Sequence, residues 1–115
     1  MMYEAILYKD SRGRCQPKEF LESLRQPKVE AKVYKWFGKL EEHGPNLPRP
    51  YADTVRGKIR ELRVVFASNN YRFLHFFYYK KIIITNGFLK NTDHVPEEEI
   101  KRAERLMGEF LNRNE

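Results

Sequence analysis

Arginine is the side chain best suited to hold a phosphate, because its planar guanidinium offers two parallel N–H donors to two oxygens at once. Six basic residues, Arg49, Arg56, Lys58, Arg60, Arg63 and Arg72, fall between positions 49 and 72, against only Asp53 and Glu61. That stretch carries a net +4 of the chain's total of +6. Alternation along a strand puts Ile59, Glu61, Arg63 and Val65 on one face and Arg60, Leu62, Val64 and Phe66 on the other. The second set makes the better core face. Glu61 and Arg63 then point away from it, and Arg72 can sit beside Arg63 if the register allows. The plain alternative is that Arg63 pairs with Glu61 and that Arg60 is a solvated charge near an edge.

Other residues offer proton chemistry. Lys90 and His94 follow Gly87 on a segment leading to Pro96. His94 either caps the helix that follows or moves protons, since imidazole titrates near neutrality. His75 lies in the most apolar run and reads as a core histidine; His43, before Gly44, reads as a cation at a helix C-terminus. The three histidines are far apart in sequence and Cys15 is the only cysteine, so no metal site is expected. Glycine-rich phosphate loops and Gly-x-Ser-x-Gly elbows are absent from the sequence. Trp36 and Phe37 fall on a helical apolar stripe and read as core rather than as a base-stacking platform. Tyr78 and Tyr79 either stack a base or close the core.

These residues need elements to position them. Met2 to Tyr8 reads as a short strand, broken by Lys9-Asp10-Ser11-Arg12-Gly13. Pro17 opens a short helix with Phe20, Leu21 and Leu24 at helical spacing. After Gln26-Pro27, the residues Val29, Val33, Trp36, Phe37 and Leu40 form one stripe, which ends at His43-Gly44-Pro45. Asn46 to Tyr51 holds two prolines and reads as an extended loop. Ile59–Phe66, Tyr71–Tyr78 and Lys81–Leu89 read as an antiparallel meander, with the middle run, apolar on both faces, at its centre. Gly87 within the last run points to a bulge or a close backbone approach. Pro96 opens a final helix with Ile100, Ala103, Leu106, Met107, Phe110 and Leu111 on its buried stripe, and a tail from Asn112 that frays. The order strand, helix, helix, three strands, helix implies an α+β fold: an antiparallel sheet with two helices on one face.

Length and composition agree. The 115 residues suit a single domain over 1–115, with 41% hydrophobic and 14% aromatic residues arguing against disorder. The longest apolar runs, Val64-Val65-Phe66-Ala67 and Ile82-Ile83-Ile84, are far below the ~20 residues that span a membrane. Met-Met-Tyr-Glu has neither the basic nor the apolar region of a signal peptide. A cytoplasmic protein with an acidic partner, nucleic acid first, is the expectation.

The chain resembles the RelE/ParE superfamily of bacterial and phage toxins, in its HigB-like, phage-derived branch. The resemblance rests on Tyr8-Lys9-Asp10-Ser11-Arg12-Gly13, Pro17-Lys18-Glu19-Phe20-Leu21, Leu40 to Leu47, Arg49-Pro50-Tyr51, Glu61-Leu62-Arg63, Tyr71-Arg72, Gly87-Phe88-Leu89-Lys90 and Glu99-Ile100. It implies a twisted antiparallel sheet with two N-terminal helices on one face and a C-terminal helix. It also implies a cognate antitoxin, usually a helix-turn-helix protein. For the RelE and HigB branches the implied activity is metal-independent cleavage of mRNA on the ribosome, with no cofactor; for the ParE branch it is inhibition of DNA gyrase. A degenerate member would keep antitoxin binding without activity. By position the resemblance makes Arg63, Arg72, Lys90 and His94 the catalytic set, with Arg56, Lys58 and Arg60 along the RNA backbone. No tyrosine follows Gly87, which leaves His94 as the acid/base group.

Overall fold

The computed structural model describes residues 2–90 and 93–114. Strand β1 (Glu4–Leu7) is followed by helices α1 (Gln16–Leu24) and α2 (Pro27–His43) and a 3-10 turn (Gly44–Asn46). Strands β2 (Ala52–Arg56), β3 (Ile59–Phe66), β4 (Asn69–Tyr78) and β5 (Lys81–Leu89) come next, and α3 (Glu97–Arg113) closes the chain. This is an α+β fold, its helix and sheet layout compatible with that of RelE-like proteins.

The sheet has the order β1-β5-β4-β3-β2, which places the doubly apolar β4 at its centre as its sequence requires. Two features depart from the expected meander. The edge strand β1 runs parallel to β5, from Glu4 opposite Lys81 to Leu7 opposite Ile84, so the sheet is mixed rather than antiparallel. Strand β2 was not expected at all: Ala52-Asp53-Thr54-Val55-Arg56 has too few apolar residues to announce a strand, and its pairing with β3 forms it.

Alternation divides the sheet into two core faces. On one, Leu62, Val64, Tyr71, Phe73, Ile82 and Ile84 pack against Leu21, Val29, Val33, Phe37 and Leu40 of α1 and α2. On the other, Phe76 and Ile83 meet Leu106 and Phe110 of α3, while Ile59, Leu74 and Phe88 meet Ala103. The two N-terminal helices therefore share one face and α3 covers the other. Helix α3 runs through Arg113, past the expected fraying point at Asn112. Its end is held where Asn114 Nδ2 donates to Phe110 O at 2.7 Å and Arg113 Nη1 donates to Tyr8 Oη at 3.0 Å.

Gly87 takes the second of its expected roles, a close approach, while the bulge lies two residues earlier at Thr85. The β4–β5 register slips between Leu74 and His75, leaving Thr85 unpaired between Ile84 and Asn86. At Gly87 itself a Cβ would lie 2.4 Å from Phe73 Cε1 and 3.1 Å from Phe20 Cδ2. The Gln16 side chain clasps the same residue, accepting from Gly87 N at 2.7 Å and donating to Gly87 O at 2.9 Å. No helix among the described residues is long and apolar enough to cross a membrane.

Candidate functional site: an arginine cleft at the sheet edge

Arg63 and Arg72 stand directly opposite each other across the β3–β4 pair, on the face that α3 partly covers. Like charges in that position repel. What allows it is Glu61, two residues before Arg63 on the same face and itself buried. Its Oε1 lies 3.0 Å from Arg72 Nε and its Oε2 accepts from Arg63 Nη2 at 3.1 Å. The first contact is an ion pair without the alignment of a hydrogen bond, since neither of its atoms has a hydrogen-bond partner. Arg63 Nη2 also reaches Asp53 Oδ2 at 3.3 Å, and that oxygen takes Arg49 Nε at 2.9 Å. The row Arg72–Glu61–Arg63–Asp53–Arg49 holds three cations and two anions.

This row leaves donors unused. Arg72 is only 8% exposed, and its Nη1 is buried without a hydrogen-bond partner, as is Arg63 Nε. A buried, unmatched cationic donor is costly, and an anion satisfies it. Burial presses the Arg72 pKa below its ordinary value; Glu61 opposes this and the neighbouring Arg63 adds to it. An arriving phosphate would relieve both effects.

Both arginines line a cleft of about 320 Å³ where β2 stops and β3 runs on alone. The loop before β2 continues the edge: Arg63 N donates to Tyr51 O at 2.8 Å. Further along, Lys32 Nζ of α2 donates to Val65 O. Trp36 and Tyr51 form another wall, their rings stacked with centroids 4.8 Å apart and planes 25° apart. Asn70 lines the cleft as well, and its carbonyl accepts from Lys90 N at 2.7 Å.

The remaining basic residues are distributed differently. Arg56 reaches across to α3, bound to Glu97 at 2.8 Å and Glu104 at 2.9 Å, and these bonds raise its pKa. Arg60 donates to Thr54 Oγ1 at 3.1 Å from the sheet face opposite to Arg63. Lys58 is exposed in the β2–β3 turn beside Gly57. His94 is exposed in the segment before α3 and does not line the cleft; residues 91 and 92, which join it to Lys90, lie outside the described residues. His75 is fully buried, as a core histidine should be, and burial pushes its pKa down to about 4. Tyr78 packs on Phe110, and Tyr79 is 84% exposed at the hairpin tip.

Sequence reasoning missed three contributors: Lys32, Tyr51 and Trp36. Trp36 packs against the core, as its helical spacing predicts, but it is only half-buried and also stands on the cleft wall, whereas its neighbour Phe37 is fully core. Lysines at 32, 35 and 39 around it were the available signal.

A mixed five-stranded sheet between two helical layers, with an arginine-lined cleft at one edge, is compatible with a RelE-like fold. The sequence pattern of the phage-derived Gp49-like proteins (DUF891) matches residues 19–108, and the chain belongs to that family, a RelE-like toxin family. No curated protein matches the chain.

Proposed function

We propose that this chain is the toxin of a type II toxin–antitoxin pair, of the HigB-like branch, and that it acts in the cytoplasm by cleaving mRNA on the ribosome. The observation that carries the proposal is Arg72, a nine-tenths buried guanidinium with a donor left without a partner, in the lining of a cleft that it shares with Arg63. Attack of the RNA 2′-hydroxyl on the adjacent phosphorus forms the P–O2′ bond and breaks the P–O5′ bond, leaving a 2′,3′-cyclic phosphate and a 5′-hydroxyl. Negative charge builds on the phosphorane between, and fixed donors in a partly dry site stabilise it most effectively. Arg72 and Arg63 take that role. Lys90 and His94, on the segment beyond β5, take the proton of the 2′-hydroxyl and return one to the leaving 5′-oxygen, which requires His94 to move into the cleft from its exposed position when RNA is bound. Lys32 neutralises backbone charge at the cleft mouth. A cognate antitoxin, a helix-turn-helix protein, would mask the same edge.

In a translation reaction, wild-type protein should cut the translated mRNA. Arg72→Gln and His94→Ala should lower the cleavage rate by roughly a hundredfold or more and roughly tenfold to a hundredfold respectively, with unchanged circular dichroism. Intact mRNA with the wild type would overturn the proposal. Inhibition of gyrase supercoiling instead would point to a binding toxin. Full activity in both variants would remove the residue assignments.

A further inference from the structure

The proposed chemistry does not account for the aromatic wall of the cleft. Tyr51 is 43% exposed although one face of its ring lies on Trp36 at stacking distance. Lys39 Nζ lies 5.6 Å from the Trp36 ring, and the body of α2 carries Trp36, so the stack is held from behind. The backbone of Tyr51 is fixed too, by its carbonyl's bond to Arg63 N and by its own N–H, which donates to Pro48 O at 2.9 Å. An exposed, rigidly supported aromatic ring beside a buried arginine, Arg72, and a half-buried one, Arg63, has the composition of a nucleotide site: a flat apolar surface for a base and fixed cations for its phosphate. The cleft, at about 320 Å³, is at the small end of ligand sites, suited to one nucleotide rather than to a duplex.

We infer that Tyr51, backed by Trp36, is a base-stacking platform that takes one unpaired RNA base while the adjoining phosphate sits on Arg72 and Arg63. This rests on the phosphate-binding part of the proposed function and adds the substrate's conformation: single-stranded at the cleft. Stacking is tolerant of base identity, since every base presents a π-face. The platform therefore fixes position and strandedness, and purines, with the larger ring, should bind more tightly than pyrimidines.

Trp36 is the chain's single tryptophan, so its fluorescence reports on the platform directly. Titration with a short single-stranded RNA should quench it, whereas inorganic phosphate should bind without quenching and a blunt RNA duplex should bind much more weakly. Tyr51→Ala should weaken binding of the single-stranded RNA by roughly tenfold. It should leave phosphate affinity unchanged, and Tyr51→Phe should restore RNA binding. Wild-type RNA affinity in Tyr51→Ala, equal affinity for duplex, or no binding of the oligonucleotide by wild type would each overturn the platform. No ribosome is present in this titration. A protein that binds and quenches as described but leaves translated mRNA intact would lose the nuclease proposal and keep the platform.

Discussion

Glu61 is the side chain that lets two arginines face each other. It is buried, and each of its carboxylate oxygens meets a different guanidinium. Removing the anion from such a group is expensive because the cations stay where they are, one of them out of water. Glu61→Gln should therefore destabilise the protein by about 3 kcal/mol, read from urea unfolding. Phosphate should return part of that loss by binding between the arginines of the folded state, more so than in wild type. A variant as stable as wild type, or one indifferent to phosphate, would show that Glu61 is not what balances the pair. From sequence, Arg63 and Arg72 flank a short turn and meet only if the register allows, while Glu61 shares a strand face with Arg63; both the juxtaposition and the Arg63–Glu61 ion pair are present. What could not be read is which oxygens are used. That follows from a register in which Arg63 meets Arg72 and from Asp53 arriving on an unrecognised strand.

At the scale of elements, strong periodicity made α2, α3, β4 and β5 legible; of the edge strands, β1 was legible as a strand but not in its orientation, and β2 was not legible at all. Strand β1 is short and its alternation carries no information on orientation; its parallel pairing follows from where α1 and α2 return the chain. The C-terminal end of α2 anchors it, with Glu41 Oε2 accepting from Ala5 N at 2.8 Å and Glu41 O accepting from Tyr3 N at 2.8 Å. Strand β2 is formed by pairing, and it matters because it delivers Asp53 and stops where the cleft begins. Helical spacing cannot distinguish a core wall from a cleft wall, which is why Trp36 was read only as core. Gly87 offers a test of how tightly α1, β4 and β5 fit. Its missing Cβ would meet the fully buried Phe73 ring, whose freedom to retreat is limited by Phe20 and Phe37. Gly87→Ala should cost about 1–3 kcal/mol in thermal or urea unfolding. Phe73→Leu should cost stability alone, yet the double variant should be more stable than the sum of the two losses implies, because the smaller side chain vacates the space. Additive losses would mean that the two positions do not compete.

For the molecule as a whole, the two helical layers seal His75 in the sheet, and this sets its response to acid. The imidazole is fully buried; Nδ1 is 3.2 Å from Phe73 O, and Nε2 has no partner. Burial is the main cause of its depressed pKa, and Arg60, directly opposite on β3, adds to it, against the opposing hydrogen bond to Phe73. With a pKa of about 4 folded and 6.5 unfolded, the unfolded chain binds the proton first. Stability must then fall as pH drops from 6.5 toward 4, by at most about 3 kcal/mol, and level off below. The carboxylates act in a lower window. Arg56 holds Glu97 and Glu104, and Tyr8 holds Glu109, below the ordinary carboxylate range, so their contributions are present above that range and are lost only at more acid pH. Two stages of acid destabilisation are therefore expected, the first due to His75. Urea midpoints measured from pH 7 to pH 4.5 should slope downward in wild type and flatten in His75→Gln, whatever that variant's absolute stability. A flat wild-type profile, or an unchanged slope in the variant, would mean that the core admits the charged ring, and hence that the layers are looser than their packing indicates. The same packing presents Arg63 and Arg72 at a fixed spacing, so a loose core would also weaken the case for a preorganised phosphate site.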